Sequence, residues 1–216
     1  IDPRLIYTVS PAVAKAAILS GVAQRNITDW DAYEQELINR LGLENKLIRF
    51  ITVKAKQHPK RVVFTEADNY KILKAAQTVK DEGIAVPILL GNTVKIKQML
   101  IDYDLDLQDV IIIDPRSKEQ ETQRLEFADH YFHKRNRKGV SLYEARQIMS
   151  ERNYFGAMMV ETGLADAMIS GLTRKFKDPI LAALQVIGMK DGVKRTAGMY
   201  IVSTKQGPFF FADTTM

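Results

Sequence analysis

Ser170 and Gly171 close a short apolar run, DAMIS (166–170), and are followed by Arg174, Lys175, Lys177 and a helical stretch. A hydroxyl donor, a glycine that admits close backbone approach, and cations ahead of a helix N-terminus together suit an anionic group such as a phosphate. A tight turn that needs glycine explains the same residues with no ligand at all. A second basic group, Lys134, Arg135, Arg137 and Lys138, precedes Gly139. Dipole complementarity at the end of a helix accounts for it. So does an anion grip, for which Arg135 is the better candidate because a guanidinium binds phosphate bidentately.

Other chemistries have less to work with. The chain has no cysteine, which removes thiol catalysis, disulfides and cysteine-ligated zinc and fits a cytoplasmic location. His130 and His133 share a helical face, but no third ligand accompanies them, and no metal site is expected. Neither the G-x-G-x-x-G nor the G-x-x-x-x-G-K-[ST] fingerprint occurs. A formal charge of +5 over 216 residues favours anionic partners in general; no nucleic-acid recognition motif accompanies it. No secretory signal opens the chain, and no apolar run approaches the roughly 18 residues of a membrane span. Neither nucleic acid nor membrane is therefore expected as a partner.

The elements that must position these residues read as α/β. Ser10-Pro11 predicts a helix start, with Val13, Ala14, Ala17 and Ile18 as its apolar face and Gly21 as its stop. A second helix is expected from Thr28-Asp29, with Tyr33, Leu37 and Leu41 on one side, Trp30 as a docking anchor and Gly42 as its break. Two such helices cannot form a core alone and read as a docking arm or linker. Strands are then expected at 61–65, 86–91, 110–114 and 166–170, and a hairpin from GMYIVST and PFFFAD around Lys205-Gln206-Gly207. Helices are expected at 69–82, 93–101, 117–136, from Ser141 to about Arg152 by a capping box, at 154–163 and at 178–188. Met158 and Met159 lie on a small-residue helix and read as core or interface. Short apolar strands joined by helices predict a three-layer α/β/α fold with a largely parallel sheet, preceded by an α-helical segment. Ligands in such sheets bind beyond the strand carboxyl ends, here Thr65-Glu66 with Asp68, Asp114-Pro115-Arg116, Ser170-Gly171 and Asp213-Thr214-Thr215.

Several motifs also carry a resemblance. VVFTEADNYKILKAA, RKGVSLYEARQIM, NYFGAMMVETGLADAMISG and FFFADTTM together resemble the N-terminal part of the phosphotransacetylase (phosphate acetyltransferase) family. DPRLIYTVSPAVAKAAILSGVA and the following helix resemble the last helices of a bacterial malic enzyme domain, an order similar to the large bacterial NADP-dependent malic enzymes. The resemblance implies residues 1–50 as the malic enzyme tail and linker, and 58–216 as the N-terminal part of a phosphotransacetylase-like domain. It implies an isocitrate-dehydrogenase-like fold in two lobes, dimerisation through this domain and a larger assembly of the full enzyme.

The same resemblance bears on the site. Phosphotransacetylases exchange acetyl between coenzyme A and phosphate and bind phosphate through arginines. The family's R-x-x-K-G element corresponds to Arg135–Gly139, which makes Arg135 an expected anion ligand beside Ser170, Gly171, Arg174 and Lys175. Where active members resemble D-T-[LV]-R-P-A, this chain has Asp178-Pro179-Ile180-Leu181-Ala182-Ala183, with Leu181 in place of a catalytic arginine. Losing such a contact costs on the order of 1.5–3 kcal/mol. Binding of acetyl-CoA as an effector, without acetyl transfer, is the expectation; an active phosphate acetyltransferase and a ligand-free dimerisation scaffold are the alternatives. No catalytic residue and no cofactor is expected in this stretch, NADP and a divalent Mg or Mn belonging to an upstream malic enzyme domain. Both ends are expected to lie inside a longer polypeptide, since the chain opens without Met and closes after an apolar strand whose edge would favour self-association.

Overall fold

The computed structural model describes residues 5–40, 44–107, 109–204 and 206–212. Three helices come first: α1 (Leu5–Leu19), α2 (Trp30–Asn39) and α3 (Glu44–Gln57). The start of α1 corrects the sequence reading, because Ser10 is not a cap and buried Pro11 lies inside the helix. Ile6, Tyr7, Ser10, Pro11, Ala14, Ala17 and Ile18 are turned at least partly from solvent, at helical spacing, so the stripe that drives the helix extends upstream of the proline. Val13, expected on that face, is 61% exposed. Gly21, at φ +74°, closes α1: its N–H donates to Ile18 O and that of Val22 to Ala17 O, a Schellman motif. Asp29 caps α2 by accepting from Ala32 N at 2.9 Å, and Lys15 of α1 lies 4.9 Å from the Trp30 ring. Leu41 and Gly42 fall outside the described residues, and α3 was not anticipated.

Beyond α3, strands and helices alternate: β1 (Lys60–Phe64), α4 (Tyr70–Asp81), β2 (Ala85–Leu90), α5 (Thr93–Asp102) and β3 (Ile111–Ile113). There follow α6 (Glu121–Arg135), α7 (Leu142–Ile148), α8 (Arg152–Glu161), β4 (Ala167–Ile169) and α9 (Lys177–Val186). The expected long helix at 117–136 is flanked by 3₁₀ turns at Lys118–Gln120 and Asn136–Lys138, the second ended by Gly139 at φ +89°. Ser141 and Glu144 form the anticipated capping box, but α7 ends at Ile148 rather than near Arg152. Ser150 N and Glu151 N bond three residues back, and extended Glu151 then starts α8.

The four strands form one parallel sheet in the order β3-β2-β1-β4. Alternating side chains split its two faces. Val63, Ile88 and Leu90 pack with Phe127, Tyr131, Ala145, Phe155, Met158 and Val186, so α6–α9 cover one side. Phe64 and Leu89 pack with Leu73, Ala76, Ile96 and Leu100 of α4 and α5 on the other. This is the three-layer α/β/α arrangement, and Met158 and Met159 belong to its core. Strand β4 is fastened beside β1 by Arg61 and Asp166, whose side chains meet at 3.1 and 3.2 Å while the Arg61 N–H donates to the Asp166 carboxylate at 2.8 Å.

The last strands, β5 (Met199–Thr204) and β6 (Gly207–Ala212), pair antiparallel as the expected hairpin but form a sheet of their own. The end of β6 is therefore not an exit of the parallel sheet, as the strand reading had it, and Asp213–Thr215 lie outside the described residues. The chain divides into two compact units, one from Ile1–Val53 and Thr196–Met216, the other Lys54–Arg195.

Candidate functional site

Strand order changes direction between β1 and β4: from β1 the chain winds one way through β2 to β3, then returns to place β4 on the far side. Such a switch leaves a crevice beyond the strand ends. A cleft of about 190 Å³ opens there, lined by Thr65, Glu66, Glu151, Arg152, Asn153, Tyr154, Arg174, Asp178 and Leu181. Strand ends supply Thr65 and Glu66, α8 with its N-cap supplies Glu151 to Tyr154, and α9 with its preceding loop supplies Arg174, Asp178 and Leu181.

The carboxylate of Glu66 dominates this arrangement. It is 4% exposed and accepts from Gly171 N at 3.0 Å, Leu172 N at 2.7 Å, Thr173 N at 2.9 Å and Thr173 Oγ1 at 2.5 Å. Burial pushes its pKa up, but these bonds outweigh that and hold it below the ordinary value. The backbone at Gly171, where close approach of an anionic ligand was expected, thus has its own amide and the two that follow engaged by a side chain of the protein. Ser170 Oγ likewise donates to Asn153 Oδ1 at 2.8 Å.

Arg152 grips Asp68 through two bonds of 2.6 and 3.1 Å, with Lys95 3.8 Å from the same carboxylate. The Arg152 bonds are the main reason that Asp68 is held below its usual range, against the opposing effect of burial. Glu151 pairs with Arg116 of the β3 exit at 2.8 Å. Among the described residues, Glu66, Arg174 and Asp178 are the cleft-lining charges without an ion pair, and of these Glu66 is held by hydrogen bonds. Asp178, in the first turn of α9, already complements that helix's positive end.

The remaining sequence candidates scatter. Lys175 is exposed and lies off the cleft wall, its carbonyl accepting from Asp178 N. Arg135 is not on the wall either. Its Nε is buried without a hydrogen-bond partner, and its charge acts on Tyr131 and Tyr154, against the burial that raises both phenols, Tyr154 to about 12. Both phenols donate to Gln185 Oε1, at 3.1 and 2.6 Å. These three residues also line a broader groove of about 580 Å³ with Lys138, Tyr143 and Glu144, so Tyr154 is common to cleft and groove. The structure therefore brings together Ser170, Gly171, Arg174 and Leu181, and sets Arg135 and Lys175 apart from them.

Sequence reasoning did not single out Arg152, Asn153 or Tyr154, and noted Glu66 only as a strand exit. The signal for all four is topological, since they converge only once β4 is known to lie beside β1. Chemically, the cleft offers a cation, hydrogen-bond donors and apolar surface. Among the described residues, no group of three or more acidic, histidine or cysteine side chains there could hold a metal.

The phosphate acetyl/butaryl transferase family model matches residues 46–216. The chain belongs to this family. It is 35% identical over 214 residues to an NADP-dependent malic enzyme of Escherichia coli, a match covering 99% of the chain but 28% of that enzyme. To a phosphate acetyltransferase of Helicobacter pylori it is 33% identical over 180 residues, 83% of the chain and 33% of the relative. The EutD phosphotransacetylase of Staphylococcus aureus superposes with a TM-score of 0.71 at 25% identity, over 80% of this chain and 51% of that one. A phosphotransacetylase from Streptococcus pyogenes gives 0.70 at 27%, over 80% and 52%. The chain thus spans under a third of the malic enzymes it matches. No helix among the described residues is long and apolar enough to cross a membrane.

Proposed function

We propose that this chain is a regulatory and oligomerising phosphotransacetylase-like part of a cytoplasmic NADP-dependent malic enzyme, which binds acetyl-CoA as an effector and does not transfer its acetyl group. The observation that carries the reading is Leu181 on the cleft wall, an aliphatic side chain at the position where the family resemblance calls for a catalytic arginine. A leucine makes no charge-assisted bond to phosphate, so the cleft keeps room for an acyl group without the clamp that phosphoryl chemistry needs. Its 190 Å³ is small for a whole cofactor and fits the acetyl thioester end, while the groove adjoining at Tyr154 offers space for a longer arm. Arg174 at the cleft and Arg135 near the groove are the cations for the ligand's anionic groups. Oxidation of malate, with its NADP and divalent metal, belongs upstream, and the dimer forms through this domain.

The match of almost the whole chain to part of a malic enzyme supports this context. The match to phosphate acetyltransferases favours a second reading, an active acetyl-transferring enzyme. An assay of the full-length protein for acetyl-CoA formation from acetyl phosphate and coenzyme A separates them. No turnover above the uncatalysed rate is expected; turnover comparable to that of true phosphotransacetylases would establish the second reading.

A further inference from the structure

We infer that Glu66 is a positioning residue, a latch whose carboxylate holds the loop after Gly171 so that Arg174 stays on the wall of the cleft. Residues 171–177 are all exposed, including Leu172 at 46% and Phe176 at 55%, so no apolar anchor fixes this loop. Its hold comes instead from Glu66, which lies 105–107 residues away in sequence and receives three successive amides and the Thr173 hydroxyl. Gly171 makes this possible at φ +118°, a conformation other residues rarely adopt, by turning the following N–H groups toward one acceptor. Arg174 comes immediately after the last latched residue. Its backbone is thereby tethered, and its guanidinium needs no ion pair of its own to remain at the cleft.

A carboxylate suits the site because three of its four partners are N–H groups, which can only donate. Glutamine keeps one acceptor oxygen for the Gly171 and Leu172 amides; its NH₂ then faces Thr173, whose hydroxyl can turn to accept but whose N–H loses its acceptor and meets a donor. Relevance to a ligand rests on the acyl-CoA reading above; the latch itself does not.

The test is limited trypsin digestion of the full-length protein without ligand, with cleavage after Arg174 and Lys175 followed by mass spectrometry. Glu66→Gln is expected to speed cleavage at these two bonds about tenfold, with other sites unchanged. Thr173→Val, which removes only the hydroxyl donor, should act in the same direction by a smaller factor. It carries the test if Glu66→Gln is digested throughout. Unchanged cleavage at both bonds in a folded variant would overturn the latch. In parallel, the acetyl-CoA concentration for half-maximal effect should rise about tenfold in Glu66→Gln. A wild-type protein indifferent to acetyl-CoA would sink the effector reading, while the digestion result would still decide the latch.

Discussion

At Leu181 the cleft wall offers methyl groups where a guanidinium would reach an anion, and the side chain is 39% exposed, so a longer residue has space to extend. Leu181→Arg should therefore strengthen binding of inorganic phosphate by about 1.5–3 kcal/mol, tenfold or more, by titration calorimetry. An unchanged affinity would mean that an anion in this cleft does not sit beside position 181. Ionisation makes a second case. Asp166 is held down to about 2, first by its Arg61 side-chain bonds, and Asp68 and Glu66 are also held below their ordinary values. Each binds its proton more weakly folded than unfolded. Their contribution is complete above the unfolded carboxylate range near ~4 and is lost as pH falls through the folded values. Urea unfolding should thus show stability falling below pH ~4, and Asp166→Asn should flatten that fall. Equal slopes in both proteins would contradict this role for Asp166.

At the scale of elements, α8 carries Arg152, Asn153 and Tyr154 to the cleft and sits against the sheet at Gly156. A β-carbon there would meet Met168 Sδ at 3.0 Å, Thr65 Cγ2 at 3.1 Å and Val63 Cγ1 at 3.3 Å. Gly156→Val should accordingly cost about 1–3 kcal/mol in denaturant unfolding and weaken ligand binding by displacing Tyr154. Full stability in that variant would show that α8 can shift freely.

Strands and helices around this contact were largely legible in sequence, because β-branched runs, capping residues and glycine stops are local signals. Ser141 with Glu144 and the stop at Gly21 are examples. The failures were also local. Ser10-Pro11 has the form of a helix start, yet the half-buried stripe from Ile6 to Ile18 overrides it. Ser170 and Gly171 were readable as a turn beyond a strand end, but the partner of that turn was not. Glu66 lies over a hundred residues upstream, and only the β1–β4 pairing brings it there.

For the whole molecule, the exposed hairpin and the family context matter most. Tyr200, Ile201, Phe209, Phe210 and Phe211 are 47–58% exposed on a two-stranded sheet, a concentration of apolar surface that favours association. The 216-residue chain should self-associate with rising concentration in sedimentation velocity, and Phe210→Lys should reduce this; a strictly monomeric wild type would contradict the expectation. Regulation at a distance needs a differential affinity of the effector for two states of the catalytic part, commonly about 1–3 kcal/mol of coupling. The decisive measurement is malate oxidation by the full-length enzyme with and without acetyl-CoA, in wild type and Arg174→Ala. The cleft as receptor predicts that acetyl-CoA inhibits the wild type and that the variant needs at least tenfold more for the same fractional inhibition. Wild type and variant inhibited at the same concentration, or neither inhibited at all, would contradict it.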